Sequence, residues 1–344
     1  MPVIRVDDLT KTFRVADKDP GFLATLRHFF KRRYRDVNAV RSASFEIEPG
    51  EVVGFLGPNG AGKTTTLKML TGLIHPTSGS VEVAGHNPYK REHGFLRQVT
   101  LVMGQKQQLL WDLPAMDSLR INAAVYGIPP AELGKRIDEL SEMLALGDKL
   151  TQPVRKLSLG ERMKAEFLAA LLHRPKVLFL DEPTLGLDIN AQAAVREFLR
   201  QYNEKHNATI LLTSHYMADI TALCKRVILI HEGRLMFDGP LQDLLKEMAP
   251  QREVTVEFET LVGEAQLTGY GVVERVEGRV ATLLVPRDEL TSVLDRLLGD
   301  FEVVDVTVTD PPIEKIMGRV FRSGMEGEVE AGAGDELTAS GLSV

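Results

Sequence analysis

One stretch of this chain combines residue types and a spacing that can bind a polyanion. It runs from Gly57 to Thr64 with the sequence GPNGAGKT and fits the pattern G-x-x-x-x-G-K-[ST], which cradles nucleotide phosphates. Its glycines let backbone N–H groups converge on an oxyanion without a Cβ in the way, and the helix that follows adds its positive end. Lys63 would reach the β- and γ-phosphates, and the Thr64 hydroxyl would ligate Mg²⁺.

The segments that flank this loop have the patterns that the motif needs. The apolar run 52–56 predicts a buried strand before it, and residues 65–70 predict a helix after it. The alternative, a glycine-rich turn that binds nothing, is disfavoured by this strand–loop–helix order. The candidate nucleotide-binding residues of the loop are Gly57, Asn59, Gly60, Ala61, Gly62, Lys63, Thr64 and Thr65.

Two adjacent carboxylates form a second candidate site. Asp181 and Glu182 follow the wholly apolar run 177–180, which predicts a parallel strand buried on both faces. Ligands of open α/β sheets bind at the carboxyl ends of the strands, so Asp181 is placed to hold Mg²⁺ and Glu182 to deprotonate an attacking water. The alternative is a charged turn, which is common after a strand, but the loop upstream favours a site.

Composition and charge limit the function classes. The chain has 344 residues, enough for one large domain and a smaller one, and its net charge of −7 provides no basic field for nucleic acid. Cys224 is the single cysteine, which precludes an internal disulfide and suits a reducing compartment. Because the sequence shows neither an apolar signal core nor about 18 consecutive uncharged apolar residues, we expect a membrane role to need a separate spanning chain.

Further motifs follow in a fixed order along the chain. They are Gln105 at the end of an apolar run, Ser158 and Gly160 in the stretch LSLGER, Asp188 in the stretch GLD, and His215 at the end of the apolar run 210–214. With the two sites above, this order resembles the ATP-binding subunit of ABC (ATP-binding cassette) transporters over about residues 1–240. The resemblance implies an α/β fold of the P-loop NTPase class, with a RecA-like core and a helical subdomain at about 105–170.

The resemblance also implies how the motifs work together. ABC ATPases pair head to tail and hold two ATP molecules between the phosphate loop of one copy and the signature segment of the other. Ser158 and the Gly160 N–H would contact the γ-phosphate in this way. Glu182 would be the catalytic carboxylate, and His215 would bond the γ-phosphate and hold the water in line. The alternative for His215 is an ordinary, hydrogen-bonded polar residue at a strand end.

Three more roles rest on the same resemblance. Gln105 would touch Mg²⁺ and the attacking water and would lie where a permease docks, although two more glutamines follow it closely. Asp188 would cross the dimer interface, or would instead cap the helix predicted over 192–199. Phe13 would stack on adenine, the alternative being a plain core position.

The stretch LSLGER departs from the commonest signature of the family, LSGGQ. Leu159 replaces a glycine and removes backbone freedom. Glu161 replaces the glutamine and brings a carboxylate near a polyanion, which weakens binding unless it points away or pairs with Arg162 or Lys164. Because the serine and the second glycine remain, we expect hydrolysis that is retained but can be slow. The helix after the signature is predicted over 163–173.

A basic insertion at about 20–36 lies within the cassette, which is assigned to residues 1–245. Its apolar residues between Leu23 and Tyr34 recur at helical spacing, and no acidic residue lies among its arginines and lysines. The pattern predicts an amphipathic helix that lies on the inner leaflet or on a permease. The alternative is a helix packed on its own domain.

A small α+β accessory domain is predicted over 250–321. Its predicted elements are strands at 253–259, 272–276, 280–285 and 301–308 and a helix at 286–298. It carries no metal-ligand or nucleophile pattern and resembles the C-terminal extension of drug- and antibiotic-exporter ATPases, which implies a role in dimer contact or regulation. Residues 322–344, rich in Gly, Glu and Ala, predict a disordered acidic tail.

Together these patterns predict the ATP-binding and hydrolysing subunit of an ABC export system, with ATP and Mg²⁺ as its ligands. Its expected partners are a second copy or a close paralogue and a separate transmembrane permease, with no nucleic acid. Its expected location is cytoplasmic, peripheral at the inner face of the cell membrane. The alternatives are a soluble ABC ATPase with a non-transport role and an ATP-binding regulator with little turnover. The single cassette counts against the first, and Glu182 with His215 against the second.

Overall fold

The computed structural model describes residues 1–17, 33–104, 108–214, 216–248 and 251–309. The chain divides into two compact units, residues 1–241 and 242–344. Gln105 and His215, the predicted tail and residues 18–32 of the predicted basic insertion lie outside the described residues. The predicted domain boundaries at 245, 250 and 321 stay predictions.

Two sheets build the first unit. Its strands are β1 (Ile4–Asp17), β2 (Arg33–Ile47), β3 (Val52–Leu56), β4 (Ser78–Val83), β5 (Val99–Met103), β6 (Val177–Asp181), β7 (Thr209–Thr213), β8 (Arg226–His231) and β9 (Arg234–Pro240). The larger sheet has the order β5-β6-β7-β3-β8-β9 and is parallel except for β9. The smaller sheet is antiparallel, with the order β2-β1-β4.

The helices of the first unit follow its strands. They are α1 (Lys63–Leu70), α2 (His93–Leu96), α3 (Ala115–Tyr126), α4 (Pro130–Met143), α5 (Leu159–Leu171), α6 (Ile189–His206) and α7 (Met217–Leu223), with 3-10 turns at Pro88–Lys90, Gly147–Thr151 and Val154–Lys156. Local signals set several ends: Pro130 opens α4 with its fixed φ. α5 begins at Leu159, before the predicted start at Met163, because Ser158 caps it.

The order of the larger sheet brings the two candidate sites to one edge. β6 and β7 are buried along their whole length, which explains their unbroken apolar sequence. At their carboxyl ends, Asp181 pairs in register with Met103 of β5 on one side and with Thr213 of β7 on the other. β3 pairs with β7 in parallel, so the loop that follows Leu56 leaves the sheet at the same edge.

The first two strands form a long antiparallel ribbon, which corrects one prediction. Val15 pairs with Arg35, and the guanidinium of Arg14 lies 4.6 Å from the centre of the Tyr34 ring. Tyr34 and Arg35 therefore belong to a strand, and the prediction of an amphipathic helix through about residue 36 is wrong at this end. Cross-strand pairing decides the conformation here, and the helical spacing of the apolar residues does not reveal it.

From Leu241 onward the chain forms further helices and a third sheet. The elements are α8 (Leu241–Met248), β10 (Gln251–Phe258), α9 (Glu264–Leu267), β11 (Val272–Glu277), β12 (Val280–Pro286), α10 (Leu290–Asp300) and β13 (Val303–Thr309), and the antiparallel sheet has the order β11-β12-β10-β13. Val293 and Leu297 of α10 pack into its core. α10 begins after the predicted Pro286 because β12 continues through that residue. Within the described residues, no helix has the length and apolar character that crossing a membrane requires.

Candidate nucleotide-binding site

The phosphate-binding loop connects β3 to α1 and holds the side chain of Lys63. Gly62 precedes the helix with φ at 106°, and a Cβ there would lie 2.3 Å from the Ala39 carbonyl oxygen, so a larger residue does not fit. Lys63 is 6% exposed, and its Nζ donates to the carbonyl oxygens of Gly57 at 2.7 Å and Pro58 at 3.0 Å. The ammonium group therefore lies within the loop that begins α1.

Hydrogen bonds join this loop to the carboxylate at the end of β6. Thr64 Oγ1 donates to Asp181 Oδ2 at 2.9 Å, and Thr213 Oγ1 donates to Asp181 Oδ1 at 2.8 Å. The Glu182 N–H donates to the carbonyl and hydroxyl oxygens of Thr213, both at 3.1 Å. The structure thus brings together Thr64, Asp181 and Glu182, which the sequence separates.

The charges of this cluster influence one another. Burial lowers the pKa of the Lys63 ammonium, and the negative charges of Glu182 and Asp181 oppose that shift without reversing it. A bound polyphosphate would bring further negative charge to the lysine and favour its protonated form. Glu182 itself has φ at 52°, an uncommon backbone conformation for a glutamate, so the surrounding contacts must hold it there.

The signature segment begins α5, and a reciprocal cap closes its end. Ser158 Oγ accepts the Glu161 N–H at 3.2 Å, while the Glu161 carboxylate accepts the Ser158 N–H at 2.9 Å. Glu161 also pairs with Lys149 Nζ at 2.9 Å. The carboxylate therefore has a basic partner, although this partner is Lys149 and not Arg162 or Lys164. Arg162 instead lies over the Trp111 ring, 5.2 Å from its centre.

The starts of α5 and α6 approach each other closely. A Cβ at Gly160 would lie 2.9 Å from the Ala191 Cβ, so the glycine is required by packing as well as by any phosphate contact. Asp188 caps α6, because its Oδ1 accepts the Ala191 N–H at 2.8 Å. The capping alternative for Asp188 is therefore realised, and its role at a dimer interface stays a prediction.

Glu166 is a buried acid that the sequence patterns did not single out. It lies on α5, is 4% exposed, and its carboxylate accepts the N–H groups of Gln108, at 2.9 Å to the nearer oxygen, and of Leu109, at 3.3 Å. Burial raises the pKa of this carboxyl, and the two N–H donors oppose that shift. The signal in the sequence is an acid among the apolar residues of α5. Its effect is to tie residues 108–109 to the helix that the signature begins.

Three further predicted site residues are Phe13, Gln105 and His215. Phe13 lies in β1, partly buried, and the Lys11 ammonium is 5.0 Å from the centre of its ring. Its stacking on adenine stays a prediction. Gln105 and His215 lie outside the described residues, but Gly104, just before Gln105, donates its N–H to the Asp181 carbonyl oxygen at 3.0 Å.

A cavity of about 600 Å³ lies beside β5 and α3. Leu73 and Val125 line it and are 53% and 73% exposed. Basic side chains, Arg91 and Arg97, line it as well, together with Gln108 from the segment that Glu166 holds. The cavity therefore combines exposed apolar surface with positive charge.

Comparison with known proteins gives matches to both parts of the chain. The ABC transporter family profile matches residues 40–185, and the profile of the EvrA-like ABC transporter C-terminal domain matches residues 250–309. The ABC transporter ATP-binding protein NatA of Bacillus subtilis is 38% identical over 62% of this chain and 88% of its own length. The Nod factor export ATP-binding protein I of Burkholderia thailandensis is 38% identical over 63% of this chain and 70% of its own length.

Two further similarities extend the comparison. The methionine import ATP-binding protein MetN of Halalkalibacterium halodurans is 32% identical over 84% of this chain and 86% of its own length. A solved ATP-binding subunit of an ABC transporter is 28% identical, covers 71% of this chain and 92% of its own, and superposes with a TM-score of 0.58. This likeness confirms the predicted α/β fold of the P-loop NTPase class.

Proposed function

Because the chain belongs to the family of ABC transporter ATP-binding proteins, we propose that it is the ATPase subunit of an export system and drives a separate permease. The comparisons confirm two predictions from the sequence, membership of this family and assignment as an ATPase. The observation that carries the proposal is the hydrogen-bonded series Thr64–Asp181–Thr213–Glu182, which joins the phosphate loop to the carboxylate pair.

Each residue of this series has a task in hydrolysis. The loop from Gly57 to Thr65 holds the phosphates of ATP by its N–H groups and by the Lys63 ammonium. Glu182 accepts a proton from the water that attacks the γ-phosphate. The rate of hydrolysis therefore depends on the orientation of the Glu182 carboxylate relative to the loop. The backbone contacts of Glu182 with Thr213 fix that direction from one side.

The residues present fit a Mg²⁺ ion. Mg²⁺ in nucleotide sites takes oxygen ligands, usually one or two protein groups together with phosphates and waters. Asp181 Oδ2 and Thr64 Oγ1 are such oxygens and lie 2.9 Å apart. In the proposed site they would hold the ion, directly or through water, with Gln105 as a further oxygen donor. The bound ion would neutralise charge on the β- and γ-phosphates.

The proposed site needs a second copy of the chain, or a close paralogue. The hydrogen bonds of the Ser158 backbone N–H and hydroxyl connect it to Glu161 within its own helix. In a head-to-tail pair, Ser158 and the Gly160 N–H at the positive end of α5 would face the γ-phosphate that the partner holds. The binding of two ATP molecules then closes the pair, and hydrolysis lets it reopen.

The cavity beside β5 is the proposed docking site of the permease. Its exposed Leu73 and Val125 would bury apolar side chains of a cytoplasmic permease helix, and Arg91 and Arg97 would pair with an acid on that helix. Docking there would place this subunit at the inner face of the membrane. Export is favoured over import by the Nod factor export relative, although MetN is an importer by name.

Steady-state ATPase activity of Glu182→Gln tests this function. The change keeps the size of the side chain but removes its ability to take a proton. We expect kcat to fall about 100-fold or more, with ATP binding retained. The matched control is Glu142→Gln on the exposed face of α4, which should leave kcat as it is. Equal turnover of Glu182→Gln and the wild type would contradict the proposed role of Glu182.

A further inference from the structure

A buried carboxylate, Asp219 on α7, joins the two loops that flank the candidate catalytic site. Asp219 is 1% exposed. Its Oδ2 accepts the hydroxyls of Thr184, at 2.5 Å, and Ser214, at 2.7 Å, while Oδ1 accepts Arg196 Nη1 at 2.9 Å. Three donors from three different parts of the chain therefore converge on one side chain.

These donors lie next to the residues that the proposed function assigns to hydrolysis. Thr184 follows Glu182 by two residues in the loop that leaves β6, and Ser214 comes between Thr213, which holds the Glu182 N–H, and His215. The Ser214 hydroxyl also accepts the Tyr216 N–H at 3.0 Å, so it holds the chain on the far side of His215. Asp219 thus joins the loop after the carboxylate pair to Ser214, which in turn contacts Tyr216.

We propose that Asp219, acting through Thr184 and Ser214, is a positioning residue that holds Glu182 in the direction needed for hydrolysis. The inference rests on the proposed function of Glu182. The left-handed backbone of Glu182 is held on one side by Thr213, and the Thr184–Asp219 bond holds the same loop on the other side. Without that bond the loop can relax toward a commoner backbone conformation and turn the carboxylate away.

A carboxylate suits this position better than an amide. An ionised aspartate only accepts hydrogen bonds, so its two oxygens can take two hydroxyls and a guanidinium together. An asparagine would direct its NH₂ group either at the two hydroxyls or at the guanidinium. The hydrogen bonds that these groups donate to that side of the carboxylate would then be lost. Arg196 supplies the opposite charge that a buried carboxylate requires, and it is 18% exposed.

Substitutions at Thr184 separate positioning from general stability. Thr184→Val keeps the volume of the side chain and removes the hydroxyl, whereas Thr184→Ser keeps the hydroxyl. A small displacement of a catalytic group can lower the rate up to about 100-fold, and we expect kcat of Thr184→Val to fall about tenfold with the KM for ATP within about twofold of the wild type. Thr184→Ser should restore most of kcat. Asp219→Asn should resemble Thr184→Val.

The thermal midpoint and the affinity for a fluorescent ATP analogue are measured on the same full-length proteins. The inference is overturned if Thr184→Val and Thr184→Ser have the same kcat, or if kcat falls only in parallel with ATP affinity. If Thr184→Val does not fold, Ser214→Ala removes the other hydroxyl and makes the same test. Glu182→Gln measured alongside separates the two ideas: full activity there rejects the proposed function, whereas an inactive Glu182→Gln beside a fully active Thr184→Val rejects only the role of Asp219.

Discussion

The Thr64 hydroxyl donates a 2.9 Å hydrogen bond to Asp181 Oδ2, although 117 positions separate the two residues in sequence. Thr64 lies in the first turn of α1, and Asp181 ends β6. The order of the parallel sheet brings these ends to one edge, and Thr213 holds the second oxygen of the carboxylate at 2.8 Å. The oxygen groups proposed to hold Mg²⁺ are therefore arranged by the fold.

The dependence of activity on Mg²⁺ concentration should change when Asp181 becomes Asn. The substitution keeps the shape of the side chain but removes the negative charge that attracts a divalent cation. We expect the Mg²⁺ concentration at half-maximal ATPase activity to rise about tenfold, equivalent to about 1.4 kcal/mol. Asp112→Asn, an exposed aspartate paired with Arg155, is the matched control and should keep the wild-type value. An unchanged Mg²⁺ requirement in Asp181→Asn would reject its role at the ion.

Packing and phosphate binding at Gly160 can be separated with a pair of substitutions. Gly160→Ala would place a Cβ 2.9 Å from the Ala191 Cβ, and we expect a loss of about 1–3 kcal/mol in the free energy of unfolding. Adding Ala191→Gly removes the clash and should recover most of that stability. Urea unfolding measures both effects.

ATPase activity of the same double variant then shows what else the glycine does. If packing is its only role, Gly160→Ala with Ala191→Gly should hydrolyse ATP as the single variant Ala191→Gly does. If the new methyl group also obstructs the partner's γ-phosphate, turnover stays low although stability is recovered. We expect this second result.

Glu161 should stabilise the protein mainly through its cap of α5. Hydrogen bonding to the Ser158 N–H and the contact with Lys149 lower the pKa of this carboxyl below its usual 4.5. Because the folded-state pKa is the lower one, the stabilisation is complete above about pH 4.5 and is lost as the pH falls through the folded-state pKa. The free energies of unfolding of the wild type and of Glu161→Ala should differ near pH 7 and converge at pH values below the folded-state pKa of Glu161.

Glu161→Gln is the control for this pair, because glutamine can also complete the cap. The ion pair with Lys149 is partly exposed, so its loss should cost less than about 0.5 kcal/mol. Since the carboxylate is engaged by Ser158 and Lys149, we also expect the ATPase rate of Glu161→Gln to stay within about threefold of the wild type. A much faster Glu161→Gln would show that the carboxylate acts on the phosphates.

Removal of the Glu166 acceptor should destabilise the first unit. Glu166→Leu would remove the acceptor of the Gln108 and Leu109 N–H groups, of which Leu109 is buried, and an unsatisfied buried donor costs about 1–3 kcal/mol. Glu166→Gln keeps a carbonyl acceptor and should cost less. The midpoint of urea unfolding at pH 7 measures the difference. Equal stability of both variants would show that the two backbone groups find other partners.

The sequence reveals the parts of the site that local order determines. The loop at Gly57–Thr64 and the buried strand before Asp181 follow from spacing and residue type, and the structure contains both. The cap at Ser158, which makes α5 begin before the predicted Met163, was not predicted. The pairing of Glu161 with Lys149 was not predicted, because the chain between them carries no periodic signal that brings them together. The Asp219 cluster was missed for the same reason.

Two errors of local prediction have a similar cause. The apolar spacing through Tyr34 indicated a helix, but pairing with β1 makes this segment a strand. Pro286 suggested a helix start, yet β12 continues through it because it pairs with Gln251 of β10. In both places a partner strand distant in sequence overrides the local pattern.

The proposal that each ATP site combines the loop of one copy with the signature of another is tested most directly by mixing two inactive variants. Lys63→Met disables the loop, and Ser158→Asp keeps a residue that can cap α5 while it repels the γ-phosphate. Neither variant should hydrolyse ATP alone. A 1:1 mixture that exchanges subunits should recover about a quarter of the wild-type ATPase rate, because half of the pairs then contain one intact site of two. A mixture that stays as inactive as its components would contradict the shared site.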